Sequence, residues 1–124
     1  MARVLVVGGA GRARELASSG HVVEEGDGID PARLVTLTPR LEGVSVVCWL
    51  FGDDEDEALH GHTLAALLEY VVDTPVRGLV YERSRAHPGG EAIVARARET
   101  FRVRCAVISP GEDLAGAVGE VLAG

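Results

Sequence analysis

Five short apolar segments, separated by stretches with helical periodicity, are the feature that most constrains the fold of this chain. Each reads as a continuous apolar run more than as a strict alternation, which is typical of strands that are covered on both faces. Strands that alternate with helices favour right-handed crossovers and a parallel sheet. The predicted strands are residues 3–7, 21–25, 44–51, 76–82 and 103–108.

The segments between these strands carry helix signals. Asp30 followed by Pro31 is a good helix start, although Pro39 must bend or shorten the helix that follows. Four stretches have an apolar stripe at helical spacing, for which core packing is the expected role. The stripes are Leu34, Leu37 and Leu41; Leu64, Leu67, Leu68, Val71 and Val72; Ile93, Ala97 and Phe101; and Leu114, Ala117, Val118, Val121 and Leu122.

Length and charge exclude several classes of function. The 124 residues have the length of one domain, and no repeat or linker divides them, so residues 1–124 are predicted to form a single domain. The net charge is −7, which would repel nucleic acid, so we expect no nucleic-acid partner. No apolar run reaches the roughly 18 residues of a membrane span. The first apolar run is too short for a secretion signal, so a cytoplasmic location is expected.

The first predicted strand runs into a glycine-rich turn that contains Gly8, Gly9 and Gly11. A turn in this position can let the backbone approach a phosphate, with the N–H groups of a following helix as donors. The next glycine of such a pattern falls on Arg14, and the helix predicted over residues 11–19 is short. A phosphate-binding turn and a merely tight turn therefore both stay open. Arg12 could meet a phosphate or lie in solvent.

This turn and four later segments, in the same order, resemble the atypical short-chain dehydrogenases/reductases of the NAD(P)-binding Rossmann superfamily. The later segments are residues 25–31, 46–52, 78–84 and 106–111. The resemblance implies a three-layer Rossmann-like α/β domain that binds NAD(P). The residues it places at the cofactor are Gly8, Gly9, Gly11, Arg12, Asp27 and Gly52.

The chain departs from that family in its spacing. Only about 19 residues separate Gly8 from Asp27, so one strand–helix unit of the family is missing. The second strand can then lie directly beside the first, which predicts the strand order 2-1-3-4-5 and a crevice between strands 1 and 3. Glu25 or Asp27 would lie near a ribose hydroxyl in that crevice, or would form a solvated acidic turn.

The catalytic residues of the family are not recognisable. Its Tyr works with a Lys four residues on, and this chain contains no Lys. Tyr81 and Arg85 have the spacing, but Tyr81 falls within a predicted strand and Arg does not replace Lys. Ser84 could match the family serine. We therefore predict no catalytic residue and a non-catalytic or weakly catalytic nucleotide-binding module, a sensor or a partner subunit.

Two alternatives remain. The first is an interaction or structural domain with an empty crevice that forms a homodimer. Its apolar contact would come from residues 49–51 or from the third helix. The second is an enzyme with unrelated chemistry. Its candidate residues would be Asp53, Asp54, His60 and Tyr81.

The remaining polar and sulfur-containing residues favour structural roles. The acidic run over residues 53–57 suits the start of a helix. His60 and His62 do not share a helix face, so surface or interface positions and no metal site are predicted. Cys48 and Cys105 fall on strands with another strand between them, about 10 Å apart, too far for a disulfide.

Overall fold

A five-stranded sheet forms the centre of the protein in a computed structural model that describes residues 2–9, 11–17, 19–26, 29–54 and 56–123. The order is β2-β1-β3-β4-β5, and every neighbouring pair is parallel. The predicted fold class and strand order are confirmed. The strands are β1 (Arg3–Gly8), β2 (Val22–Glu25), β3 (Val46–Leu50), β4 (Gly78–Glu82) and β5 (Arg104–Ile108).

Helices and short turns cover both faces of the sheet and complete three layers. The α-helices are α1 (His62–Val71), α2 (Gly89–Thr100) and α3 (Leu114–Ala123), close to the predicted positions. The core on one face joins α1, α2 and the segment 34–41 to the sheet. The core on the other face joins α3 and Leu16 to the sheet. All five residues of β3 and of β4 are buried, which explains their continuous apolar runs.

Successive residues of each strand serve opposite faces of the sheet. In β1, Leu5 and Val7 pack on the α1 and α2 side, whereas Val4 and Val6 pack on the α3 side. The two cysteines follow the same rule. Both thiols are free and buried, and they lie in the two different cores, Cys48 on the α3 side and Cys105 on the α1 and α2 side.

The first two predicted helices form as 3-10 segments rather than as α-helices. A single 3-10 helix, Arg12–Leu16, follows the glycine turn. Two 3-10 turns, Leu34–Thr36 and Thr38–Arg40, replace the predicted second helix. Pro39 lies in the second of these turns, where it has no N–H to donate and its ring would clash with a carbonyl of an α-helix. The predicted apolar stripe still packs, because Leu37 and Leu41 are buried against the sheet.

The strand end that could have supplied an apolar contact surface is inside the molecule. Trp49 is fully buried and its indole N–H donates to the Leu59 carbonyl at 2.8 Å, while Leu50 is 1% exposed. Two exposed apolar side chains lie at the end of α1, Tyr70 (36% exposed) and Val72 (44% exposed). The other large apolar side chains exposed among the described residues are Val22 and Val35. No helix within the described part of the chain is long and apolar enough to cross a membrane.

Candidate functional site

A cleft of about 720 Å³ opens at the carboxyl ends of the strands, where β1 and β3 lie side by side. The chain leaves β1 toward β2 on one side and leaves β3 toward β4 on the other, so this is the switch point of the sheet. Ligands of open parallel sheets bind in such crevices. The lining residues include Gly8, Gly9, Gly11, Arg12, Glu25, Gly26, Phe51, Asp53, Asp54, Glu82, Pro110 and Gly111.

The glycine turn forms one wall of this cleft. Close packing against Leu50 is enough to require glycine at two of its positions, so these two glycines do not by themselves indicate a ligand. Gly8, Gly9 and Gly11 all have positive φ, at 78°, 59° and 79°. A Cβ on Gly8 would lie 2.6 Å from the Leu50 carbonyl oxygen, and one on Gly9 would lie 2.7 Å from the Leu50 Cβ. Gly11 faces open space. A side chain at position 11 is therefore limited by backbone conformation rather than by contact.

Arg12 enters the cleft wall with its guanidinium already engaged. Its Nε donates to Glu15 at 2.7 Å, its Nη2 donates to the Glu112 carbonyl at 2.6 Å, and its Nη1 donates to Glu82. Hydrogen bonding to Glu15, with the nearby charges of Glu15 and Glu82, raises the pKa of Arg12 above its ordinary value despite partial burial. Arg14, the other arginine of this turn, is exposed and does not line the cleft.

Glu82 is the central polar group of the cleft. It is not among the site residues predicted from the sequence. It is the last residue of β4 and is 4% exposed. One carboxylate oxygen accepts the Gly52 N–H at 2.8 Å, and the other accepts from Arg12. Glu82 therefore joins the ends of β3 and β4 to the glycine turn. A carboxylate at the end of a fully apolar strand was the available signal in the sequence.

Gly52 contacts Glu82 but does not itself line the cleft. A Cβ at position 52 would lie 2.7 Å from the Glu82 side chain and 2.7 Å from that of Pro110, so glycine is required for the close approach. Its N–H is directed at Glu82 rather than at the open cleft. Asp27, the remaining predicted cofactor contact, lies outside the described residues. Glu25, the neighbouring candidate, ends β2 and lines the cleft.

The residues present do not fit the pyrophosphate of NAD(P). The described lining contains four carboxylates, those of Glu25, Asp53, Asp54 and Glu82, against one guanidinium, so its formal charge is −3. Two donors beside the cleft, the Gly52 N–H and Arg12, already hold Glu82. The 3-10 helix after the glycine turn spans five residues, too few to supply the aligned N–H groups and dipole of a phosphate-binding helix.

A second polar arrangement, between His60 and Tyr81, lies in the core beside the end of β3. The Phe51 carbonyl lies 2.7 Å from His60 Nε2 and can only accept, so Nε2 donates to it. Nδ1 then accepts from the Tyr81 hydroxyl at 2.6 Å. His60 is 1% exposed and Tyr81 is fully buried, so the predicted surface position of His60 is wrong. Burial, followed by the charge of Glu91, raises the pKa of Tyr81 to about 12.

The other candidates for chemistry are dispersed. Ser84 is buried just beyond β4, while Arg85 and His62 are exposed. Asp56 caps the 3-10 turn Glu57–His60 by accepting the Ala58 N–H at 3.0 Å, in the role expected for the acidic run. Within the described ranges, no group of three or more His, Cys, Asp or Glu side chains could hold a metal ion.

Sheet order, layers and switch-point cleft together define a Rossmann-like α/β domain. No protein-family model matches this chain, and no curated protein or solved structure does.

Proposed function

We propose that this domain is a non-catalytic binding module, a sensor or a partner subunit, that holds a nucleotide-type ligand in the switch-point cleft. By nucleotide-type we mean a nucleoside with or without phosphates, although the acidic lining disfavours the pyrophosphate of NAD(P). The observation that carries the proposal is the meeting of the glycine turn and Glu25 at one cleft between β1 and β3. A carboxylate at the end of the second strand suits a ribose hydroxyl in folds of this kind.

The proposal includes no reductase-type proton transfer because the groups that would carry it are absent or enclosed. The chain contains no Lys to assist a tyrosine in proton transfer. Tyr81 is fully buried, and its hydroxyl donates a hydrogen bond to His60 within the core. Neither Tyr81 nor His60 lines the cleft.

A thermal-shift panel tests the proposal. The ligands are adenosine, AMP, ATP and the oxidised and reduced forms of NAD and NADP, each added to the purified protein. A ligand at about 100 times its Kd adds about 2.7 kcal/mol to the free energy of unfolding, which is easily detected. We expect at least one member of the panel to raise Tm.

Gly11→Asp should abolish that shift by filling and charging the open space at the cleft wall. Gly20→Asp is the matched control, because Gly20 also has positive φ and faces open space but does not line the cleft. Retention of the full shift in Gly11→Asp would place the ligand elsewhere.

An interaction domain is the second candidate, favoured by the exposed Tyr70 and Val72 at the end of α1. Its partner would be a second copy of the chain. No shift in the panel, together with a dimer in sedimentation that Tyr70→Ser disrupts, would replace the binding module with this function.

A further inference from the structure

The charge and hydrogen-bonding character of the cleft point to a narrower class of ligand. We infer that the site takes a nucleoside that carries no phosphate, because Glu82 already holds the Gly52 N–H and Arg12, two donors that a ligand anion would need. This inference rests on the proposed function, since it specifies which nucleotide-type ligand the same cleft selects.

Two donors that could hold a ligand anion are already bonded to a carboxylate of the protein. A phosphate at a switch point needs backbone N–H groups and a cation. Here the Gly52 N–H and Arg12 converge on the Glu82 carboxylate, which is 4% exposed and bonded through both of its oxygens. A ligand phosphate would have to displace a buried carboxylate from both donors.

The walls of the cleft are acidic. The carboxylates of Asp53 and Asp54 line the cleft and are exposed, and the Glu25 carboxylate lies across the glycine turn from them. Ionised carboxylates accept hydrogen bonds and cannot donate them. The cleft therefore favours ligands rich in donors, such as ribose hydroxyls or an amino group, and like charges disfavour a phosphate.

Arg12 has few hydrogen-bond donors left for a ligand. Its guanidinium donates to Glu15, to Glu82 and to the Glu112 carbonyl. Arg12 thus closes the glycine turn onto β4 and the loop after β5, and contributes to the shape of the cleft rather than to anion recognition.

Four adenosine derivatives that differ at the 5′ position test the inference by titration calorimetry on the whole chain. The series is 5′-amino-5′-deoxyadenosine, adenosine, AMP and ADP, which runs from a cation to an increasing negative charge. We expect affinity to fall in that order, with AMP roughly tenfold or more weaker than adenosine, because like-charge contacts are costly in a partly enclosed site.

Glu82→Gln makes the test specific to the internal anion. Glutamine can still accept the Gly52 N–H, but it removes the negative charge and releases Arg12. We expect Glu82→Gln to raise the affinity for AMP roughly tenfold relative to the affinity for adenosine. Glu91→Gln removes the same charge from an exposed carboxylate outside the cleft, where it pairs with Arg83 at 3.2 Å, and should change neither affinity.

The possible outcomes separate the two claims. AMP or ADP binding as tightly as adenosine would overturn the inference and leave the proposed function standing. No binding by any of the four compounds, or by the wider panel, would remove the proposed function and the inference with it. AMP affinity unchanged in a folded Glu82→Gln would overturn the role of Glu82. If Glu82→Gln fails to fold, Asp53→Asn on the exposed wall takes its place, and we expect it to strengthen AMP binding. AMP affinity unchanged in Asp53→Asn would overturn the inference that carboxylate charge excludes a phosphate.

Discussion

The hydroxyl of Tyr81 occupies the space in which a side chain at position 90 would begin. A Cβ on Gly90 would lie 1.9 Å from that oxygen, and Gly90 is buried in the first turn of α2. The same hydroxyl donates to His60 Nδ1. One glycine therefore lets α2 approach β4 closely enough to enclose the His60–Tyr81 pair.

Gly90→Ala should destabilise the protein by about 1–3 kcal/mol, because the added methyl group overpacks a buried site. Gly89→Ala is the matched control in the same turn. Its Cβ meets nothing within 4 Å, so the higher helix propensity of alanine should stabilise by about 0.5–1 kcal/mol. Urea denaturation measures both. If Gly90→Ala were as stable as Gly89→Ala, or more stable, the packing of α2 on Tyr81 would be contradicted.

Tyr81→Phe should lower the free energy of unfolding by about 1–3 kcal/mol, because it leaves the buried Nδ1 of His60 without its donor. Tyr70→Phe removes a hydroxyl that lies 2.6 Å from Thr38 Oγ1 at the surface, where water can replace it, and should change stability by less than about 0.5 kcal/mol. In a double-mutant cycle, Gly90→Ala should cost less in the Tyr81→Phe background. Strict additivity would show that the hydroxyl is not the obstacle.

Glu82→Ala should destabilise by about 1–3 kcal/mol, because the Gly52 N–H and Arg12 both lose a buried acceptor. Glu91→Ala breaks an ion pair whose two side chains are nearly half exposed, so its effect should stay below about 1 kcal/mol. Denaturant titration of the two variants side by side gives the comparison. A Glu82→Ala protein as stable as Glu91→Ala would mean that Glu82 does not hold the cleft together.

Stability should fall as the pH rises above about 9. Burial raises the pKa of Cys48 and of Tyr81 to about 12 and that of Cys105 to about 11, from ordinary values of 9.0 for the thiols and 10.0 for the phenol. Between the ordinary and the raised value, the unfolded chain loses the proton and the folded chain keeps it. The unfolded state then binds fewer protons, so each group lowers the free energy of unfolding by about 1.4 kcal/mol per pH unit.

The contribution of Tyr81 to this loss is confined to the range from pH 10 to 12. Urea midpoints measured across that range should fall less steeply for Tyr81→Phe than for the wild type. Tyr70→Phe, which lacks the exposed phenol, should keep the wild-type slope. A Tyr81→Phe protein with the wild-type slope would show that the buried phenol does not hold its proton in the folded state.

Much of the architecture follows from local patterns in the sequence. Continuous apolar runs mark strands buried on both faces, and β3 and β4 are buried over their whole length. The short spacing between Gly8 and Glu25 leaves no room for another strand, and β2 indeed lies beside β1. Two 3-10 turns stand in place of the helix that was predicted to begin at Asp30 and Pro31, because the apolar spacing of Leu34, Leu37 and Leu41 also suits such turns.

The sequence by itself determined the sheet, its order and the position of the glycine turn, because side-chain periodicity and chain length act over short distances. Only the tertiary structure decided the character of the cleft. Arg12 and Glu82 are 70 residues apart and meet because parallel strands end at one edge of the sheet. Burial and partners of a polar group depend on which segments converge around it, and no local pattern encodes that convergence.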